Sequence, residues 1–298
     1  MQLVELDLLG PRINTSIRRM ILIASLITAV AAAAVTLPTP LGVSSNLNDY
    51  NLSLDTAERT MVFARSEADF HNARIFIAVK QGNRWSEPQP IPFSDPRFSD
   101  SDPWLTPDGR TMYFISTRPA SGRAEGRADY DIWRSFRNGQ GWSAPEHLGP
   151  EVNSTGQELG PELHAGVLYF ASARPGGRGG LDIYSARARA GGFEPSASMP
   201  PSINSSSSEG DFTLSADGLT AFFWRSGDRG RASIYRARRE GQSWSTPEPL
   251  PETVNLGPFN FTPSLSRDGR ILYLASTRER AGQSPGMADI YAVTLPRR

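Results

Sequence analysis

Four acidic residues and one asparagine stand at matched places along the 298-residue chain: Asp49, Asp100, Glu158, Glu209 and Asn260. A carboxylate that recurs at a fixed step can do one of two things. If rotation about a common axis relates the copies, they form a hydrated ring at the mouth of a channel. Two such charges about 10 Å apart repel by about 0.4 kcal/mol in water-like surroundings and by about 1.7 kcal/mol at an effective dielectric of 20. A cation, or a Lys or Arg of a partner, would neutralise that ring. Alternatively, each acid accepts hydrogen bonds and fixes the spacing of neighbouring units. The first alternative makes these five residues the candidate binding set.

Residues for covalent or metal chemistry are sparse. Asp129-Tyr130-Asp131 and Asp100-Ser101-Asp102 are the closely spaced carboxylate pairs that could divide into acid and base, and neither has metal-loop spacing. His71, His147 and His164 are scattered and suggest no zinc site. Gly282-Gln283-Ser284-Pro285-Gly286 fits Gly-x-Ser-x-Gly but has no histidine after it. The glycine-rich stretch 176–180 does not open a helix within a βαβ unit, so no dinucleotide site follows. No catalytic residue, metal or cofactor is assigned, although a channel of this kind has room for a cation.

The elements that must position these residues are written in a repeat. TPDGRTMYFIST at 106–117, SADGLTAFFWRS at 215–226 and SRDGRILYLAST at 266–277 are strong copies of one phrase, and 55–66 and 164–173 are weaker ones. The matched apolar residues Phe63, Phe114, Phe170, Phe223 and Leu274 are spaced by 51, 56, 53 and 51 residues. A period near fifty marks stacked or radially arranged units. Within each unit an Asp-Gly turn leads into a β-branched and aromatic strand, as at Asp108-Gly109, Asp217-Gly218 and Asp268-Gly269. A second strand follows at Ile75–Ile77, Ile132-Trp133, Ile183-Tyr184, Ile234-Tyr235 and Ile290-Tyr291.

A further strand carries an aromatic and a proline: Trp85 with Pro88, Trp142 with Pro145, Phe193 with Pro195, and Trp244 with Pro247. Proline belongs on an unpaired edge, so this strand is outermost. One more precedes the Asp-Gly turn, and four antiparallel strands in about fifty residues make a propeller blade. The expected fold is therefore an all-β propeller of five four-stranded blades, with six blades or a β-solenoid as alternatives. The fifth unit lacks its outer Trp/Pro strand, so residues 35–46 are expected to pair into it and close the ring. Trp85, Trp142 and Trp244 recur with the scaffold and suit blade packing. Trp104 and Trp224 do not recur and are the candidate contact aromatics. Arg65, Arg118, Arg174, Arg225 and Arg278 also recur, and with Asp131, Asp182 and Asp289 they are expected to brace loops.

Met20–Val35 carries no charge, follows Arg18-Arg19 and contains Ala31–Ala34, the form of a secretory signal. Residues 1–34 are assigned to that signal, with Met20 as an alternative start because Glu5 and Asp7 are out of place in a leader. Residues 35–46 form the linker or closing strand, and 47–298 form one propeller domain. The run is short for a membrane span, and contact with a membrane would come only through an uncleaved signal. There is no cysteine, hence no disulfide and no lipidated cysteine. Basic and acidic residues balance at 31 each, which gives no global field for nucleic acid.

Acid-x-x-Pro, Ser-x-Asp-Gly, Ser-x-Arg, Asp-Ile-Tyr and Trp-x-x-Pro in succession resemble the WD-like propeller repeats of the TolB family. The likeness covers about residues 46–298 and is most specific in the third unit, at Glu158, Pro161, Ser172, Arg174 and Asp182–Tyr184. It implies a β-propeller that binds proteins in the periplasm; the expectation is a non-catalytic, monomeric periplasmic or secreted protein that binds an envelope protein or, second to that, a cell-wall glycan. TolB itself, with six blades behind a separate α/β domain, differs from this pattern. The alternative function is a carbohydrate-binding protein or glycoside hydrolase with its site in the central channel.

Overall fold

The computed structural model describes residues 39–120, 129–139, 141–282, 284 and 286–295. The proposed signal lies outside them, as do parts of the arginine-rich loop 118–130 and of the Gly-x-Ser-x-Gly stretch. Among the described residues no helix is long and apolar enough to cross a membrane.

Five antiparallel sheets follow one another along the chain, each meandering from an inner to an outer strand. Blade 1 is Asn48–Leu54, Thr60–Ser66 and Arg74–Gln81, with an outer edge split into Arg84–Trp85 and Gln89–Pro90. Blades 2, 3 and 4 repeat this from Asp100–Leu105, Glu158–His164 and Glu209–Leu214 as inner strands. The split edge places the aromatic on one short piece, and Pro88, Pro145, Pro195 and Pro247 lie between the pieces. Blade 5 comprises Asn260–Leu265, Ile271–Ser276 and Asp289–Thr294, and its fourth strand is Thr39–Pro40 from the other end of the chain. Thr39 pairs with Ala292 and Pro40 with Tyr291, so the ring closes as the missing outer strand implied.

Apolar residues on facing sheets form the core between blades. Phe63, Phe114, Phe170, Phe223 and Leu274, the residues that set the period, are all fully buried. The turns behave as their composition requires. Gly109, Gly218 and Gly269 have φ of 66°, 69° and 67°, and Asp108 Oδ1 accepts from Thr106 Oγ1 and the Arg110 amide. Where the phrase fails, Glu58 takes the left-handed conformation in blade 1, and Ala165 with Gly166 takes it in blade 3.

At four of the five seams a backbone bond at the start of an inner strand ties it to the preceding blade, and at the fifth the Ala232 amide donates to the Pro258 carbonyl. The amides of Asp49, Asp100, Glu158 and Glu209 donate to the carbonyls of Ala288, Ala73, Tyr130 and Leu181. The first of these spans the two ends of the ring. There, Asn48 Oδ1 also accepts the Ala288 amide at 2.7 Å, and Arg280 pairs with Asp289 while donating to the Ser45 carbonyl.

Candidate functional site

The acidic column does not stand at the channel mouth. Asp49, Asp100, Glu158, Glu209 and Asn260 are at most 2% exposed, and none lines the axial cavity. Each of the four acids is paired inside its own blade with the recurring arginine. Arg65 Nε lies 2.7 Å from Asp49 Oδ1, Arg118 Nη2 2.9 Å from Asp100 Oδ2, Arg174 Nη2 3.3 Å from Glu158 Oε1, and Arg225 Nε 2.7 Å from Glu209 Oε1. These arginines also donate to linker carbonyls, and Arg65, Arg174 and Arg225 stack over Phe76, Tyr184 and Tyr235. Asp131, Asp182 and Asp289, the expected partners of the arginine column, turn instead to His147, to the amides of Arg178 and Gly179, and to Arg280. The recurring charges therefore hold blades together. In blade 5 Asn260 accepts from Ser276 Oγ, and Arg278 stacks on Tyr291.

The axis is lined two residues further along each inner strand. Asn51, Asp102, Gly160, Asp211 and Thr262 sit at a register shift present in all five inner strands, with φ of 48°, 49°, 55°, 51° and 48°. Such a bulge leaves one residue out of the ladder and re-aims it. Asn, Asp and Gly tolerate this left-handed conformation, whereas a β-branched Thr does so only under strain. The five bulges touch around the axis. Thr262 Oγ1 accepts the Asn51 amide at 3.2 Å, Asp102 Oδ2 accepts the Gly160 amide at 2.9 Å, and Asn51 Nδ2 donates across the ring to Asp211 Oδ1 at 3.4 Å. A side chain at Gly160 would collide with that same Asp211 oxygen, so both carboxylates crowd against one glycine.

This ring floors a cavity of about 820 Å³. Its wall on one side is aromatic and contiguous. Tyr50 packs against Phe70 and Phe261, Phe261 against Phe259, and Phe259 against Trp224, with centroids 4.9–6.1 Å apart. The Trp224 indole crosses the place a Cβ would fill at Gly210 and donates to Asp211 Oδ2 at 2.7 Å. Trp224, a candidate contact residue, therefore reaches the cavity. Trp104, the other, packs on Tyr113 and borders a 30 Å³ void on the far side of the ring. Phe70 stands at the rim, 37% exposed, in a stretch where Asp69, Phe70 and Asn72 all have positive φ.

Burial governs the carboxylates of this floor. Burial pushes Asp102 up to about 6, opposed by the Gly160 and Ser101 hydrogen bonds. Burial and repulsion from Asp102 push Asp211 up to about 7, against the Trp224 and Asn51 hydrogen bonds. Between about pH 6 and pH 7 the two together hold about one proton. Ser101 Oγ lies 2.9 Å from Asp102 Oδ1 and 3.0 Å from Tyr50 Oη. Its single proton serves the carboxylate, which leaves the Tyr50 hydroxyl to donate to Ser101. Below the ring Glu162, also pushed up to about 7 by burial, accepts from Thr213 Oγ1 and the Leu214 amide. Arg267 donates there to the Leu54 and Leu105 carbonyls. These two side chains tie blades 3 to 4 and 5 to 1 and 2. Among the described residues no group of three His, Cys, Asp or Glu could hold a metal ion.

No family model and no curated protein matches the chain. Solved structures do match, at low identity. The endo-arabinase of Bacteroides thetaiotaomicron is 12% identical with a TM-score of 0.57, over 88% of this chain and 98% of that one. A family 117 glycoside hydrolase of Zobellia galactanivorans is 14% identical with a TM-score of 0.53, over 86% and 89%. A putative TolB from Agrobacterium tumefaciens is 12% identical with a TM-score of 0.50, over 85% and 92%. The chain covers 55% of the length of TolB from Acinetobacter baumannii. What is shared is the fold. The protein is a five-bladed β-propeller, and the structures similar to it in fold include a putative TolB as well as glycoside hydrolases.

Proposed function

We propose that the axial cavity binds a carbohydrate segment in the bacterial cell envelope. The observation that carries this reading is the placement of two carboxylates that break the blade repeat, Asp102 and Asp211, on the floor of an aromatic-walled cavity. Its 820 Å³ falls in the range of small-molecule sites, and sites of that class combine apolar walls with a few convergent polar groups. Carboxylates accept from sugar hydroxyls, and flat aromatic faces cover the C–H faces of a sugar ring. The uncharged run Met20–Val35 supports export, which would put envelope or extracellular glycans within reach.

Thermal unfolding with a panel of oligosaccharides tests this. A ligand at about a hundred times its Kd adds about 2.7 kcal/mol, a readable rise in midpoint, and Trp224→Ala should abolish that rise. If no saccharide shifts the wild type, while an envelope protein binds and loses affinity on Phe70→Ala, the cavity serves a protein partner instead. A second reading, glycoside hydrolysis, is favoured by the shared proton, because one carboxylate is then an acid and the other a base at the same pH. Release of reducing ends by the wild type and its loss in Asp102→Asn would establish it.

A further inference from the structure

Five buried carboxylates of the blade scaffold each have an arginine partner. Asp49, Asp100, Glu158, Glu209 and Asp289 have Arg65, Arg118, Arg174, Arg225 and Arg280. Asp102 and Asp211, like Glu162 below the ring, receive hydrogen bonds from neutral donors: the Gly160 and Thr262 amides, Ser101 Oγ, Trp224 Nε1 and Asn51 Nδ2. The arginines that line the cavity, Arg97 and Arg118, are committed to Asp95 and Asp100. Beside the pair, Asn51 Oδ1 is a buried acceptor with no hydrogen-bond partner. The floor thus has more acceptors than donors and more negative charge than positive.

We propose that the ligand of this cavity carries a positively charged amine or ammonium group, seated between the Asp102 and Asp211 carboxylates and the aromatic wall of Tyr50, Phe261, Phe259 and Trp224. The inference rests on the carbohydrate reading and names its chemical class, an amino sugar with a free amine. Two independent features select an organic cation. The acceptor surplus at Asn51, Asp102 and Asp211 matches the donors of an ammonium. The aromatic faces attract a cation through their quadrupoles, and most strongly when it has been desolvated, as at this floor.

Proton linkage gives the idea a second readout. A bound cation favours the ionised form of each carboxylate, so binding expels the proton that the pair holds and tightens as pH rises through about 6 to 7. The other titratable or charged groups lining the cavity are Tyr50, Asp69, His71, Arg97, Arg118, Asp129 and Tyr130. Of these, an imidazolium at His71 would also repel a cation, so His71→Ala serves as the control.

Calorimetric titration of the full chain separates the possibilities. The probes are tetramethylammonium, whose charge cannot titrate, the trisaccharide of glucosamine, and the trisaccharide of N-acetylglucosamine. The expected result is about tenfold tighter binding of the free-amine sugar than of the acetylated one, and about tenfold tighter binding of tetramethylammonium at about pH 8 than at about pH 5.5. His71→Ala should keep most of that pH dependence. Asp102→Asn/Asp211→Asn should remove it, and the wild-type pH series stands alone if that variant does not fold. Equal affinity for the two sugars overturns the cation inference and leaves the carbohydrate reading intact. Binding of tetramethylammonium without either sugar overturns the carbohydrate reading and keeps the cation. Binding of none of the three overturns both.

Discussion

Asp102 and Asp211 occupy bulge positions where the backbone alone would favour Asn, Asp or Gly, so their residue type is half explained by φ. What the backbone does not require is the charge. In the unfolded chain an Asp ionises near 3.8, and in the fold these two ionise near 6 and 7. Between those values the native state binds more protons than the unfolded state, so stability falls as pH rises from about 4 to about 7. Asp211→Asn should therefore raise the melting midpoint at about pH 8, by roughly 1–3 kcal/mol of stability, and leave it unchanged at about pH 3. A rise of equal size at both pH values would show that charge is not the cause. Gly160→Ala tests the same crowding sterically, because the new Cβ collides with Asp211. Chemical denaturation should show a loss of about 1–3 kcal/mol, with ligand binding weakened as the carboxylate is displaced. The site was only partly legible beforehand. Asp102 was visible as part of Asp100-Ser101-Asp102, but Asp211 and Asn51 were not, because the repeated column two residues earlier drew the functional reading. The sequence did hold a signal: Asn51, Asp102, Gly160 and Asp211 at one matched position inside strands are the residue types of a positive-φ bulge, out of place in a regular ladder, with Thr262 the exception.

At the scale of the blade, the recurring acid and arginine form a bracket that joins inner strand, second strand and linker. Glu209 is fully buried, accepts from Ser205 and Arg225, and lies under an arginine that also holds the Ile203 carbonyl and stacks on Tyr235. Removing the arginine leaves a buried, unpaired carboxylate, which costs more than the pair itself contributes. Arg225→Ala should lose about 3 kcal/mol in denaturant unfolding, whereas Glu209→Gln with Arg225→Ala should lose less than the sum of the two single changes. Additive losses would mean the bracket is not energetically real. Sequence periodicity identified both columns and left open what they were for. The pairing could not be read from it, since in units 2 and 3 the arginine stands between two acids, Asp100 and Asp131 or Glu158 and Asp182, and only the folded register brings the earlier one within reach.

The whole molecule is a ring whose closure depends on residues that start outside it. Period, turn chemistry and the missing outer strand of the fifth unit made the five blades and the N-terminal closing strand legible, because each follows from counting strands against edges. The structure adds the way the seam is held. Besides the pairing of Thr39–Pro40 with Tyr291 and Ala292, Leu41 donates to the Ile290 carbonyl, Asn48 accepts from Ala288, and Arg280 reaches the Ser45 carbonyl. Val43, Leu52 and Leu54 of the early chain pack with Tyr273 and Ile290 of blade 5 in one buried cluster. In an open array of blades the two terminal units would fray separately, whereas a closed ring gives every blade two neighbours and one shared unfolding transition. Weakening the seam by Asn48→Ala with Arg280→Ala should therefore speed amide exchange in Asp289–Thr294 and in Asn48–Leu54 together, while strands of blade 3 keep their protection. It should also slacken the axial ring, because Asn51 and Thr262 meet across that same seam and Asn51 holds Asp211. Weaker ligand binding by a variant with no change in the cavity wall would be the consequence. If exchange rises equally in all five blades, the molecule unfolds as one unit at every seam and the N-terminal closure is no weaker than the rest.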